Sequence, residues 1–251
     1  MNDGGVLVLL PPSEGKATGG RGAWREASGT FGDALASRRR EVAETLLAEL
    51  GDATTATRQR LFGTDGPLAD RAVHAARALA AGESPSLPAW RRYTGVVWEH
   101  LDPVTLSPST RRRIVVPNAA TGLVRGDDPV PDLRLKFSVS LHGIGRLDRW
   151  WRPALTDLLA AHGRGPIIDL LPVEHAAAVD LAAVAERRRV VRVAFVAADG
   201  AGAAGHAAKA AKGVFARAVL LEGVSAMDAF VWEGWRAQRS GDRVLVRAPA
   251  G

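Results

Sequence analysis

The chain of 251 residues is long enough for one large domain or two small ones, and its 47% hydrophobic and 24% charged residues are typical of a soluble globular protein. It contains no cysteine, which excludes disulfides, thiolate catalysis and zinc–thiolate sites. The formal net charge of +6 and the isoelectric point near 10.6 favour anionic partners such as nucleic acid, nucleotides or phosphorylated metabolites.

Hydrophobic periodicity predicts strands and helices that alternate along the chain. In chain order, the predicted elements are a strand over 4–10, helices over 33–50 and 67–81, a turn-rich connector over 84–88, a helical aromatic segment over 92–101, a strand over 114–117, a long irregular segment over 118–132, a strand over 133–141, a helix over 149–162, strands over 166–171 and 190–197, a helix over 205–221, and a closing antiparallel pair of 230–235 with 243–247.

This order predicts a mixed α/β (α+β) fold, a single compact domain over residues 1–251 in which helices flank a mixed sheet. Its apolar runs are far shorter than the roughly 20 residues that cross a bilayer. The N-terminus lacks the basic start and apolar stretch of a signal peptide, so we expect a cytoplasmic protein without membrane contact.

The basic residues are nearly all arginine, because only Lys16, Lys136, Lys209 and Lys212 are lysines among 33 basic residues. Runs of arginine at 38–40, 111–113 and 187–189 are expected on solvated faces. Where lysine occurs although arginine is the usual basic residue of this chain, it points to a position that needs a compact ammonium group, one that can be desolvated or can lose its proton.

The first candidate segment follows the first predicted strand and contains Ser13, Glu14 and Lys16. A strand that ends in a tight turn places backbone N–H groups and an ammonium group at the edge of a sheet, where phosphates and carboxylates bind. The spacing is not that of a Walker A loop. The alternative is a turn with a solvated charge pair.

The second candidate segment is the irregular stretch around Arg125, Asp128 and Arg134. Long irregular stretches inside a compact domain are usually functional or disordered, and arginines alternating with acids can form an anion pocket. A surface loop tied by ion pairs is the alternative.

The third candidate segment places His206, Lys209 and Lys212 on one face of a helix start, because they are spaced by three. Such an array can hold a phosphate or supply an acid or base. An ordinary amphipathic helix would show the same spacing.

A fourth segment, with His142, Gly143, Gly145 and Arg146, resembles the hairpin of a helix-hairpin-helix motif. In that motif, backbone amides grip a DNA phosphate without reading sequence. The histidines show no HExxH or paired-ligand spacing, so the sequence gives no support for a metal site, and it names no cofactor.

In this order the segments resemble the YaaA family of bacterial peroxide-resistance proteins in its actinobacterial form. The matching segments are Pro11–Lys16, Tyr93–Trp98, Gly122–Leu135, Leu141–Leu155 and His206–Gly213. The resemblance implies a protein of the oxidative-stress response that binds duplex DNA without sequence specificity. In that hypothesis His142, Gly143, Gly145 and Arg146 contact the nucleic acid.

The sequence departs from the family pattern at Asn118 and Thr121, where the family has serine and an aromatic residue, and at Pro172, His175 and Ala208, where it has serine, tyrosine and asparagine. Each of the last three exchanges removes a directional contact, whereas Glu174 with His175 adds a possible acid/base pair. The scaffold is therefore expected to carry over more securely than the activity, and a specialised paralogue is plausible.

The competing hypothesis is an enzyme that acts on a small phosphorylated or nucleotide-like ligand. Its expected catalytic residues are Glu14, Lys16, Asp128, Asp169, Glu174, His175 and Lys209, and its expected substrate-binding residues are Ser13, Tyr93, Arg125, Arg134, His206 and Lys212. A scaffold without catalysis, in which these residues form structural ion pairs, is the third possibility.

Overall fold

A computed structural model describes residues 5–51 and 54–249, and its largest element is an eight-stranded mixed sheet. The strands of the chain are β1 (Leu7–Leu9), β2 (Ser86–Pro88), β3 (Ile114–Asn118), β4 (Gly122–Arg125), β5 (Pro129–Pro131), β6 (Ser140–Leu141), β7 (Gly145–Arg146), β8 (Ile167–Asp169), β9 (Val190–Val196), β10 (Val231–Trp232), β11 (Trp235–Ser240) and β12 (Arg243–Arg247).

The α-helices are α1 (Gly32–Glu49), α2 (Thr55–Phe62), α3 (Gly66–Ala80), α4 (Ala89–Arg92), α5 (Val96–Leu101), α6 (Pro108–Arg111), α7 (Leu147–Ala161), α8 (Val173–Ala176), α9 (Leu181–Ala185), α10 (Gly205–Glu222) and α11 (Ala226–Ala229). Short 3₁₀ turns at Pro103–Thr105 and Gly223–Ser225 complete the described elements.

The strand order in the large sheet is β10-β11-β12-β9-β8-β1-β3-β4. Strands β12, β9, β8, β1 and β3 run parallel to one another, and the strands added outside them, β11 with β10 at one edge and β4 at the other, pair antiparallel. Two separate two-stranded sheets pair β2 with β5 and β6 with β7. The carboxyl ends of the parallel strands therefore meet along one edge.

The core lies on both faces of this sheet because successive side chains of a strand point to opposite sides. Leu7 and Leu9 pack into a cluster with α1, α3 and α7, whereas Val8 and Leu10 pack with α5 and α10. Burial on both faces explains why the central parallel strands are continuous apolar runs rather than alternating ones.

The structure confirms most predicted elements, and the mixed α/β fold is observed. The strand predicted over 4–10 is described from residue 5 onward. Helices 33–50, 67–81, 149–162 and 205–221 and strands 114–117, 166–171 and 190–197 correspond to observed elements within a few residues. The closing pair contains 243–247, but its main partner is β11 rather than 230–235.

Four predictions were wrong or incomplete. The segment 118–132 is not irregular, because its Gly, Asp and Pro residues form the turns between β3, β4 and β5, and the connector 84–88 contains β2. Only Ser140 and Leu141 of the segment 133–141 belong to a strand, the short β6, and residues 133–139 do not form one. Their apolar side chains Leu133, Phe137 and Val139 reach the core from a largely irregular backbone. The aromatic segment 92–101 is broken at 93–95, and α2, α8 and α9 were missed.

Two arginine runs do not lie wholly on solvated faces. Arg39 is 1% exposed and donates to the carbonyl oxygens of Thr121 (2.7 Å) and Leu123 (3.1 Å), and also to those of Glu26 and Ser28. Arg188 is likewise buried and donates to backbone carbonyls, including those of Leu159, His162 and Gly165. Each guanidinium joins separate segments of backbone, because its planar fork presents several donors at once.

The segment 141–145 forms the β6–β7 hairpin, and α7 follows it directly. The residues before it, 133–139, are not helical, so the hairpin is not flanked by two helices as the helix-hairpin-helix motif requires. Within the described ranges, no helix is both long enough and apolar enough to cross a membrane.

Candidate functional site

A cavity of about 720 Å³ lies at the carboxyl ends of β1, β8 and β9. From β1 the chain crosses to β3 on one side, and from β8 it crosses to β9 on the other, so the connections of two neighbouring strands diverge here. In open sheets of this kind, ligands bind in the crevice outside the carboxyl ends of the strands at such a point. The fold itself therefore creates this cavity.

The cavity wall is mainly apolar and carries a small set of polar and ionisable side chains. Trp98 of α5 and Phe195 of β9 provide aromatic surfaces, with Val97, Val173 and Val193 nearby. The polar lining side chains are Ser13, Glu14, His175, Lys209 and Lys212. Apolar walls with a few convergent polar groups are typical of sites for small molecules and cofactors.

The loop after β1 is fixed against α5 by two contacts. The indole Nε1 of Trp98 donates to the carbonyl oxygen of Pro11 at 3.1 Å. Gly95 lies so close to Ser13 that an added side-chain carbon would collide with the serine hydroxyl. Buried Ser13 is thereby held at the cavity wall, with exposed Glu14 beside it.

Helix α10 begins at the cavity and carries both lysines. Its N-cap residue Ala204 has an extended backbone and forms no side-chain cap, and Ala204 and Gly205 both line the cavity. The first N–H groups of a helix and its dipole favour anions at this end. Lys209 and Lys212 follow on one face of the helix, so the positive potentials of backbone and side chains add.

Lys212 is held between the end of β8 and the cavity. Its ammonium group donates to the carbonyl oxygen of Leu170 at 2.9 Å and lies 5.5 Å from the ring centre of Phe195. Burial, opposed by the charge of Asp169 and assisted by repulsion from Lys209, lowers the pKa of Lys212 to about 8. Its buried position therefore brings proton exchange by this lysine near physiological pH.

Asp169, the last residue of β8, is buried behind the cavity wall rather than in the lining. Its Oδ1 accepts a hydrogen bond of 3.0 Å from the N–H of Leu171. Burial raises the pKa of Asp169, against the opposing effects of that bond and of the charges on Arg192 and Lys212. Asp169 thus acts on the cavity through the charge of Lys212.

His175 lines the cavity and packs edge-on against Phe137, with ring centres 5.9 Å apart. Burial lowers the pKa of His175, so its imidazole is neutral at pH 7. The Nδ1 atom is buried and has no hydrogen-bond partner among the described residues. Its neighbour Glu174 is exposed and does not line the cavity, so the expected acid/base pair does not face it together.

Lys16 does not face the large cavity. It lines a second cavity of about 230 Å³ together with Arg134 and Arg71, and Glu14 and Gly15 line both cavities. The lysines at 16, 209 and 212 therefore do not share one cavity, and they lie at two neighbouring cavities that both include Glu14 and Gly15.

Arg125, Asp128 and His206 are not brought to either cavity. Asp128 is buried, and its two carboxylate oxygens accept hydrogen bonds from the N–H and hydroxyl of Thr30 and from the N–H of Arg125. Arg125 is buried and contacts His162. His206 is exposed on α10 outside the lining. Asp128 and Arg125 thus make structural contacts rather than cavity contacts.

Tyr93 is also placed outside the two cavities, although its ring centre lies 5.9 Å from the ammonium group of Lys16. Its hydroxyl accepts a hydrogen bond of 2.9 Å from the amide of Asn118. Burial raises the pKa of the phenol. Tyr93 is therefore a buried structural residue that packs against the Lys16 segment.

The hairpin residues expected to hold DNA already have partners within the chain. The N–H of His142 donates to Oε1 of Glu49 at 2.5 Å, and Arg146 is paired with Asp148 at 2.6 Å. Gly143 and Gly145 have positive φ angles and open space around them. A carboxylate beside the hairpin amide disfavours a phosphate at the same place.

No group of three or more His, Cys, Asp or Glu side chains within residues 5–51 and 54–249 is arranged to hold a metal ion. Two cavity residues were not predicted from the sequence: the aromatic wall residue Phe195 and the arginine of the small cavity, Arg71. Phe195 has one available signal, its place at the end of a buried strand before a run of small residues. Arg71 has none, since it lies on the polar face of a regular helix.

The family model described as peroxide stress protein YaaA matches residues 6–240, which include all candidate site residues. A UPF0246 protein of Streptomyces coelicolor is 34% identical over 195 residues, which cover 75% of this chain and 73% of that protein. UPF0246 proteins of Corynebacterium efficiens (30% identical, 62% of each chain) and Corynebacterium glutamicum (32% identical, 54% of this chain and 53% of the relative) are also similar.

Proposed function

The chain belongs to the peroxide stress protein YaaA family, and on that premise we propose that it binds and converts a small phosphorylated or nucleotide-like ligand in the 720 Å³ cavity. The observation that carries this proposal is the meeting of Lys209, Lys212 and the α10 N-terminus at the carboxyl ends of β1 and β8. The peroxide response is the proposed physiological setting.

The size and lining of the cavity support this ligand class. Ligand pockets commonly enclose about 300–1,000 Å³, so a cavity of this volume suits a nucleotide-sized molecule. Trp98 and Phe195, both largely buried, contribute apolar aromatic surface to the wall, and the two lysines offer charge to a phosphate. The anion and the apolar part of one ligand would thus meet complementary walls.

Acid/base chemistry is the proposed reaction class. A neutral His175 can accept a proton, and Lys212 with a pKa of about 8 can donate one near physiological pH. Glu14 lines the same cavity, and its carboxylate can serve as a second base beside His175. Because the ammonium groups also stabilise negative charge that develops on the ligand, binding and catalysis would use the same residues.

A thermal-shift screen with nucleotides and phosphorylated metabolites tests the proposal. A true ligand should raise the melting temperature of the wild-type protein in a concentration-dependent manner. Lys209→Ala should abolish the shift, whereas His206→Ala, one turn away on the same helix and outside the cavity, should retain it. Indifference to all such ligands, or equal loss in both variants, would contradict the proposal.

Nucleic-acid binding is a second candidate, and one observation favours a surface other than the hairpin. On the face of β9, β12 and β11 that leaves side chains exposed, Arg192 lies opposite Arg243 and Arg236 lies opposite Arg247. Like charges directly opposite each other destabilise a sheet. None of the four forms an ion pair with a described residue, so a phosphate backbone would complement this arginine face.

A further inference from the structure

The 230 Å³ cavity beside the Glu14–Gly15 backbone has more positive than negative side chains around it. Lys16, Arg71 and Arg134 line it, and the buried guanidinium of Arg92 lies behind it. Asp132 and Glu14 are the acids of the lining. Four cations thus face two carboxylates, and Glu14 is shared with the larger cavity.

The acid that could neutralise these cations is already engaged. The Oδ2 atom of Asp132 accepts a hydrogen bond of 2.6 Å from Arg71 and lies 3.9 Å from the Nη1 of Arg92. The other N–H groups of Arg92 donate to backbone carbonyl oxygens, among them those of Gly19 (2.9 Å) and Val130 (3.3 Å). The charges of Asp132 and Glu14 offset only part of the effect of burial and of repulsion from Arg134 and Arg92 on Lys16.

Lys16 and Arg134 each have N–H donors that make no hydrogen bond to another described residue. The ammonium group of Lys16 makes one hydrogen bond, of 2.9 Å, to the carbonyl oxygen of Ser13, and Arg134 makes one, of 2.9 Å, to the carbonyl oxygen of Glu14. Their remaining N–H groups have no partner among the described residues. Burial and repulsion from Arg134 and Arg92 lower the pKa of Lys16 to about 8.

We propose that this cavity is a second binding site, separate from the ligand cavity, which takes one phosphate- or carboxylate-sized oxyanion between Lys16 and Arg134. Such an anion would accept the unused donors of both groups in the charge-assisted geometry that arginine and lysine provide. A water occupies roughly 30 Å³ of liquid, so the cavity holds an oxyanion with some of its water but is small for a nucleotide.

The site stands independently of the function proposed above, because it uses neither Lys209 nor Lys212. Its anion is either free in solution or one group of a ligand whose larger part lies elsewhere, and the shared chemistry is the oxyanion. Because Glu14 and Gly15 line both cavities, a ligand in the larger cavity lies next to this site and could place an anionic group in it. Titration with the free anion separates the two sources, since a free anion binds without any larger ligand.

Isothermal titration of the full chain with inorganic phosphate, and separately with acetate, tests the proposal. Wild-type protein should bind at least one of them at pH 7. Lys16→Met and Arg134→Gln should each weaken binding at least tenfold, whereas Arg21→Gln, an exposed arginine outside the cavity, should not. Because the anion stabilises the charged lysine, affinity should fall as the pH rises above 8.

The Lys209→Ala variant tests whether the anion binds at this site or in the larger cavity. Binding of the anion should persist in that variant even if nucleotide binding is lost. The proposal is overturned if wild-type protein binds neither anion, if Arg134→Gln retains full affinity with an unchanged melting temperature, or if Lys209→Ala abolishes binding. Should Lys16→Met fail to fold, the Arg134→Gln and pH results alone decide.

Discussion

The ammonium group of Lys212 donates a hydrogen bond of 2.9 Å to the carbonyl oxygen of Leu170, and so connects α10 with the residue that follows β8. Its buried position has a measurable consequence for stability. The pKa of Lys212 is about 8 in the folded protein and near 10.5 in an unfolded chain. Below pH 8 both states are protonated, and the folded state carries the full cost of the buried charge.

As the pH rises from 8 towards 10.5, folded Lys212 loses its proton while the unfolded chain keeps it, so the free energy of unfolding should increase. One pKa unit corresponds to about 1.4 kcal/mol, so Lys212 should contribute up to about 2 kcal/mol between pH 7.5 and 9.5. Urea unfolding at both pH values measures this. Lys212→Met should reduce the dependence by this amount and leave the part that comes from Lys16, whose pKa is also lowered to about 8, and the exposed control Lys136→Met should leave the dependence intact.

The close packing of α10 on α5 predicts a strong effect at Gly213. A side-chain carbon there would collide with the carbonyl oxygen of Val97 and lie 2.8 Å from Cβ of His100. Alanine normally stabilises a helix interior by about 1 kcal/mol over glycine. Here we expect the opposite sign, a loss of about 1–3 kcal/mol for Gly213→Ala and more for valine, because the helices must move apart.

Denaturant unfolding measures the Gly213 effect, and Gly202→Ala is the matched control, since an added carbon at Gly202 meets no atom within 4 Å. Since α5 and α10 form facing parts of the cavity wall, Gly213→Ala should also weaken ligand binding. An unchanged or increased stability would show that the helices can separate without cost.

The buried guanidinium of Arg39 predicts that this arginine cannot be replaced by lysine. Its fork reaches carbonyls of two separate stretches, 26–28 and 121–123, and burial lowers its pKa to about 10. A lysine offers three donors on a flexible stem and cannot satisfy the same set. We expect Arg39→Lys to lose about 2–4 kcal/mol of stability, and Arg39→Met at least as much.

Thermal and chemical unfolding check the Arg39 prediction. Arg40→Lys, on the exposed face of the same helix, should change the free energy of unfolding by less than about 0.5 kcal/mol. Equal effects at 39 and 40 would mean that the guanidinium contacts contribute nothing beyond helix propensity.

If duplex DNA binds, the arginine face of β9, β12 and β11 rather than the β6–β7 hairpin should carry the affinity. The double variant Arg192→Gln with Arg243→Gln should weaken binding about tenfold or more and reduce the dependence of affinity on salt. Arg146→Gln in the hairpin should leave binding unchanged, because Arg146 is already paired with Asp148. Mobility-shift titrations at several salt concentrations measure the affinity and its dependence on salt. Loss of binding in Arg146→Gln but not in the double variant would instead show that the hairpin binds the DNA.

The central strands and long helices could be predicted from sequence because their signal is local. Apolar runs gave β1, β8 and β9, and the three-residue spacing of Lys209 and Lys212 gave their common helix face. The segment around Asp128 could not be predicted in this way. Its Gly, Asp and Pro residues form turns whose strands depend on the distant partners Ile114–Asn118 and Thr30.

The division of the candidate residues between two cavities also lies beyond local sequence. Lys16 follows Ser13 by three positions, yet the turn between them sends the two side chains to different hollows. The sequence predicts Phe195 to be a core residue, because the pattern of apolar residues at a strand end is the same whether the side chain packs against a helix or lines a cavity. Only the packing of α10 and α5 decides between them.

The position of β1 inside the sheet has a consequence for how the protein is made. This strand is synthesised before both of its neighbours, β3 and β8, which follow it by more than 100 residues. Until then its backbone N–H and C=O groups are unpaired and its side chains are apolar, so it is open to pairing with other nascent chains. A fragment released before residue 167 would carry half of the ligand site beside an aggregation-prone strand, so intact translation matters as much to this cavity as any single side chain.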